Sequence, residues 1–358
     1  MVLVGVAMST LLLLSILASP AFAFVQEPPS LNGVSLPNMD CGVGLFYCPQ
    51  ETANETGTLA AMRDAGCNTF APQARPLPGQ TTPESAGAAI ARQVNSAARV
   101  GLLDVRFPLV CYSVVPADVV EANTLRDPAI QWPELIQQSV DEPSALQEAT
   151  LRDYRDKAHA AGLRIGTAVA GYVCTGYTQS LPWCEPEGVG KLIPGMGKYL
   201  DLWVLLVGTW GEATREAAQA QGAEIGAYLA YPSSTVLDRW TCGLWAWRAR
   251  VRTVLLWAAL NKQAAWDYSR VREAPGGSCA QPGLSGVRDG TLDYRVLQAV
   301  RDLHIPEADR WLAGVEARVD LGWWPHSYVA TNQDKEVPTV DMDNVRADGL
   351  ALLKEAAR

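Results

Sequence analysis

Basic residues are few in this chain and nowhere clustered. Lys and Arg together number 29 against 38 Asp and Glu in 358 residues, a formal net charge of −9. No Lys/Arg block exists to neutralise a row of phosphates, which argues against nucleic acid or an anionic membrane surface as partner. Histidine is scarcer still. The three, His159, His304 and His326, are scattered, and no Cys-x-x-Cys occurs. The ligand spacing of a zinc site is therefore missing, and neither a metal nor another cofactor is expected. Beyond residues 1–23 no uncharged stretch reaches the length that crosses a bilayer, so no stable span is expected once that segment is cleaved.

What is there begins with residues 1–23. A leucine run at 11–17, broken by Ser15, leads to Ala21-Phe22-Ala23, a small-x-small cleavage pattern. This predicts a secretory signal peptide and a secreted or periplasmic protein. The segment carries no Lys or Arg, which keeps an uncleaved N-terminal anchor as the alternative. All eight cysteines, Cys41, Cys48, Cys67, Cys111, Cys174, Cys184, Cys242 and Cys279, lie beyond it. In an oxidising compartment some are expected to pair, with Cys174 and Cys184, in one loop, the best pair.

After a lead-in at 24–39, short apolar runs alternate with segments of helical period. Strands are predicted at 43–47, 67–71 and 105–111, in a fourth run ending on Asp141, and at 164–169, 202–207, 224–231 and 253–260. Helices are predicted near 55–65, 83–99, 145–161, 212–221, 236–248 and 292–303, several of them followed by a stopping glycine (Gly66, Gly101, Gly162, Gly222). The segments 113–130 and 170–197 read as long loops. Eight βα units predict an α/β fold, a single TIM (β/α)8 barrel over 40–330, with a C-terminal tail at 331–358 that carries a short amphipathic helix.

In such a barrel the chemistry lies at the C-terminal ends of the strands. The stretch 132–143, Trp-Pro-Glu-Leu-Ile-Gln-Gln-Ser-Val-Asp-Glu-Pro, ends on the adjacent acids Asp141 and Glu142 and on Pro143, which ends a ladder. Neighbouring side chains on a strand face opposite ways, so both acids can serve one site only where the backbone turns, as it does at a strand end. Two close carboxylates split their pKa values, giving one proton donor and one anion, the division of labour sugar hydrolysis requires. A solvated Asp-Glu turn is the bland alternative.

Several separated patterns resemble the catalytic domain of glycoside hydrolase family 123. They are Met62-Arg63-Asp64-Ala65-Gly66-Cys67-Asn68-Thr69, the Asp141-Glu142-Pro143 turn, Tyr228-x-x-Tyr231, and the run from Gly286 through Arg288, Asp293 and Tyr294 to Arg295. The resemblance implies a retaining β-N-acetylgalactosaminidase in which the substrate's acetamido oxygen is the nucleophile, Asp141 polarises that group, and Glu142 is the general acid/base. The chain departs from the family in having no room for its N-terminal β-sandwich and in lacking a Gly-x-Leu-x-Tyr-Pro pattern after the eighth strand.

Around that pair, Tyr172, Trp183, Trp210, Tyr231 and Trp257 stand at or near strand ends, where aromatic faces would meet a carbohydrate substrate. Tyr231 reads equally as a core tyrosine. Arg288, Asp293 and Tyr294 read as bracing. The seventh strand ends in Tyr231-Pro232-Ser233-Ser234, with Asp238 the next acid, so the usual carboxylate nucleophile is missing there. Glu212 is the spare acid for a conventional two-carboxylate glycosidase on a non-acetamido sugar, and reads otherwise as a helix first-turn residue. A barrel that binds sugar without turning it over is the third reading.

Overall fold

The computed structural model describes residues 29–47, 54–74, 84–112, 114–138, 140–141, 147–169, 197–207, 212–231, 233–259, 262–263, 266–267, 269–273, 279–280, 283–321 and 340–358. Seven parallel strands form one sheet in the spatial order Gly42–Leu45, Thr253–Trp257, Glu224–Ala230, Leu202–Leu206, Arg164–Val169, Leu135–Gln138 and Leu109–Tyr112. Between the two ends of that row lies the segment 67–73, which touches both. Tyr47 N donates to Ala71 O and Ala71 N to Leu45 O, each at 3.0 Å, while Tyr112 N donates to Pro72 O at 2.9 Å. The ring is thereby closed in the manner of a (β/α)8 barrel, with an eighth position that is bridged instead of laddered.

The predicted second strand, 67–71, is the one that does not form a regular ladder, and Asn68 shows why. Its Oδ1 accepts from Val43 N at 2.7 Å and its Nδ2 donates to Cys41 O at 3.2 Å, so a side chain satisfies backbone groups that a paired strand would take. Gly44 lets the two backbones run this close, since a Cβ there would collide with the Thr69 carbonyl. The third strand is also shorter than predicted, because residues 104–107 turn: Phe107 N donates to Asp104 O at 3.1 Å and the Asp104 carboxylate accepts from Arg106 N at 3.0 Å.

Period-two alternation sorts the side chains into two layers. Leu202, Val204 and Leu206 point into the barrel, where Phe46, Ala71, Val110, Ile136, Ala168, Tyr228, Leu255 and Ala258 fill the lumen. Trp203, Leu205, Leu229, Tyr231 and Val254 point outward and join the larger layer beneath the helices.

The helices differ from the sequence reading in four places, one of them the helix Pro306–Glu316, opened by a proline, where none is predicted. The loop predicted over 113–130 contains the helix Pro116–Thr124, opened by proline at its first turn, where the missing N–H costs nothing. The helix predicted over 236–248 is divided into Thr235–Trp240, a wide turn Thr241–Trp245, and Ala246–Ala249. The last barrel helix, Ser285–Arg301, starts well before the predicted 292. The tail helix Met342–Ala356, capped by Asp341, lies on it through buried Val345 and Leu350 and through Arg346 Nε to Asp293 Oδ1 at 2.5 Å. Among the described residues no helix is long and apolar enough to cross a membrane.

Candidate active site

The mouth of the barrel is assembled from the last inward-facing residues of the strands. Tyr112 and Gln138 end adjacent strands and are register partners, so they stand side by side at the rim. Three residues beyond Gln138, Asp141 turns back over them. Tyr112 Oη donates to Asp141 Oδ2 at 2.6 Å, and Gln138 Nε2 donates to Asp141 Oδ1 at 3.1 Å. Both oxygens of the carboxylate are thus engaged by neutral donors. The residue keeps solvent access, yet protein crowds its carboxyl. That desolvation pushes the pKa above the ordinary aspartate value, while the Tyr112 and Gln138 hydrogen bonds pull it back.

Under the acid lies an aromatic floor. Tyr112 meets Phe46 edge-on with centroids 5.6 Å apart, and Trp257 packs against both, 5.7 Å from Tyr112 and 5.2 Å from Phe46. Trp257 ends its strand facing inward, as the odd-numbered members Leu255 and Trp257 must. Behind it, the fully buried Arg270 donates to Trp257 O at 2.5 Å and grips Asp238 through Nη2 at 2.6 Å and Nε at 2.8 Å. Half-buried and in the lumen layer, Trp257 and Tyr112 offer ring surface beside a carboxylate, the combination that suits a polyol with one apolar face.

Of the residues singled out from sequence, Asp141 and Trp257 come together at this mouth. Tyr231 does not join them. It follows inward-facing Ala230, so alternation turns it outward, and it is 0 % exposed in the layer beneath the helices, the place of a core tyrosine. Asp238 is held in its ion pair with Arg270. Glu212 is the first residue of the helix Glu212–Ala220. Glu142, Tyr172, Trp183 and Trp210 lie outside the described residues, as does the Cys174–Cys184 pair. Asp293, read as bracing, does brace: it receives both Arg239 and Arg346, tying three helices together.

Tyr112, Gln138 and Phe46 were not picked out from the sequence. Tyr112 lies one residue beyond a strand predicted to stop at 111, and Gln138 lies inside the run predicted to end on Asp141, whereas the strand itself ends at Gln138. The signal that finds them is parity counted backwards from the strand ends. Cys41, Cys67, Cys111 and Cys242 are buried thiols. Burial pushes Cys67 up to about 12 and raises the other three as well. Among the described residues no three His, Cys, Asp or Glu gather where a metal ion could be held.

No family model matches the chain, and no curated protein matches it. Among solved structures it is similar to a β-mannanase of Thermomonospora fusca in complex with mannotriose, at 12% identity over 70% of this chain and 89% of that one, with a TM-score of 0.42. It is similar to a putative α-L-fucosidase of Bacteroides thetaiotaomicron at 10% identity, 73% and 94% coverage and a TM-score of 0.45. An HMG-CoA lyase of Brucella melitensis matches at 13% identity, 89% and 98% coverage and a TM-score of 0.37. Likenesses this distant, spread over different chemistries, decide no activity, and the barrel assignment rests on the strand pairing itself.

Proposed function

We propose that this protein is a secreted glycoside hydrolase, a retaining β-N-acetylhexosaminidase of the family 123 kind that uses the substrate's acetamido group as nucleophile. One observation carries the reading: Asp141 stands at the barrel mouth over the Tyr112–Phe46–Trp257 floor with both carboxylate oxygens oriented by neutral donors. The chain beyond the Glu224–Ala230 strand supports it. Among the described residues after the Glu224–Ala230 strand, the next carboxylate is Asp238, and it is committed to Arg270. A nucleophile supplied by the substrate needs no protein carboxylate there.

In the first step the acetamido carbonyl oxygen attacks the anomeric carbon as the glycosidic C–O bond breaks, and Glu142 gives its proton to the leaving oxygen. Asp141 accepts the amide N–H and stabilises the positive charge of the oxazolinium ring. In the second step Glu142, now a carboxylate, takes a proton from water. The water oxygen bonds to the anomeric carbon, the ring opens and the amide is restored, with net retention.

Turnover measured on a panel of aryl β-glycosides with and without a 2-acetamido group tests the reading. Hydrolysis confined to acetamido sugars is expected, with Glu142→Gln slower by about 10² to 10⁴. A wild type that ignores a thiazoline mimic of the bicyclic intermediate, yet is trapped by a 2-fluoro sugar on a protein carboxylate, would overturn it.

A further inference from the structure

We propose that Tyr112 and Gln138 are positioning residues, a two-point clamp that holds the Asp141 carboxylate in one orientation and favours its ionised form through donated hydrogen bonds. The inference rests on the reading of Asp141 as the group that meets the substrate amide. The clamp is built into the strand register. Tyr112 and Gln138 are direct partners on neighbouring parallel strands, and each donates to a different oxygen of one carboxylate, at 2.6 Å and 3.1 Å. With both oxygens taken, rotation of the carboxyl about its bond to Cβ breaks one bond or the other.

Each holder is itself fixed. The Tyr112 ring is lodged against Phe46 and Trp257, with centroids 5.6 Å and 5.7 Å away. Gln138 is 1% exposed, and a carboxylate can only accept, so the amide must present its NH2 toward Asp141. A hydrogen bond to the charged form favours that form. Burial and these two donors are the causes of the displacement of the Asp141 carboxyl, and Tyr112 is the titratable side chain among the described residues that bonds to it. Taking away a donor leaves burial less opposed, so the carboxyl should titrate at higher pH.

Two variants of the full chain test this. Tyr112→Phe keeps the ring and removes the hydroxyl, and Gln138→Met keeps the length and removes the amide. The Asp141 carboxyl is followed by carbon NMR through a pH titration, its signal assigned by its loss in Asp141→Asn. kcat and KM are measured against pH on an aryl 2-acetamido β-glycoside. The expected result is an Asp141 midpoint moved to higher pH in both variants, with the acidic limb of the rate profile following it. kcat should fall by about tenfold, the worth of roughly one hydrogen bond to a charged group, while KM changes little. A side chain that merely packs would leave the midpoint where it is. An unchanged midpoint in both folded variants overturns the clamp whatever happens to the rate. A midpoint that moves in a protein that hydrolyses no acetamido sugar upholds the clamp and overturns the hydrolase reading instead.

Discussion

Two aspartates at the same end of the barrel are held by opposite means, and the contrast separates holding a charge from using one. Asp238 is 0% exposed and faces a full positive charge: Arg270 takes both its oxygens, at 2.6 Å and 2.8 Å, and fastens the Tyr231 and Trp257 carbonyls as well. Asp141 keeps solvent access, and among the described residues its carboxylate accepts from a phenol and an amide. The first carboxylate is neutralised where it lies and knits two strand ends to a helix. Under the proposed mechanism the second carries its charge toward the mouth, where it would stabilise a cationic intermediate.

Breaking the compensated pair should give the largest effect on folding. Asp238→Ala strands a guanidinium in the interior and is expected to cost about 3 to 5 kcal/mol in urea denaturation. The double variant Asp238→Leu with Arg270→Met should regain much of that loss, since the pair's worth lies mainly in each ion answering the other. Failure of the double variant to recover would mean that Arg270 matters chiefly for the two carbonyls it fastens.

The uncompensated carboxylate should behave in the opposite way. Asp141→Asn is expected to lower turnover by about 10² to 10³ with little change in ground-state binding, because its charge counts most in the transition state. Its effect on stability has the reverse sign. A carboxyl whose folded pKa is raised binds its proton more tightly in the native state. It therefore weighs against folding once it ionises, and this penalty disappears below the unfolded value. Asp141→Asn should accordingly match or exceed the wild type in urea midpoint at neutral pH, and the gap should close as pH falls through the carboxyl's raised range. A large loss of stability in Asp141→Asn at pH 7 would dissolve the contrast with Asp238.

A third aspartate marks the small end of the scale. Asp341 caps the tail helix by accepting from Asn344 N at 3.0 Å on the surface. Asp341→Ala should cost about 1 kcal/mol and leave turnover untouched.

Much of the barrel was legible because its signal is repeated: most strand–helix units carry an apolar run and a periodic helix, and several end on a stopping glycine. What was not legible depends on events that happen once. A side chain standing in for a ladder, as Asn68 does, has no periodic trace. The helix Pro116–Thr124 is short and weakly patterned, and its proline reads equally as a loop signal. At the site, Asp141 was visible because an acid at a strand end is chemically conspicuous. Tyr112 and Gln138 required the strand ends to within one residue, the least readable feature of a strand, since a slip of one reverses every facing. Tyr231 is that reversal seen in practice: its place at a strand end was right, and its parity turned it to the helices.

The bridged eighth position has a consequence for how the molecule moves. Seven staves of this barrel are joined edge to edge in regular ladders, whereas 67–73 is held to its neighbours by two isolated bridges, the Asn68 side chain and separate bonds such as Asn68 N to Val43 O and Asp104 N to Asn68 O. Fluctuations open a protein where the fewest bonds must break together. Tyr112 belongs to that seam, taking Pro72 O on one side and Asp141 on the other. Opening of that irregular seam would therefore be felt at the Asp141 carboxylate, one residue away through Tyr112.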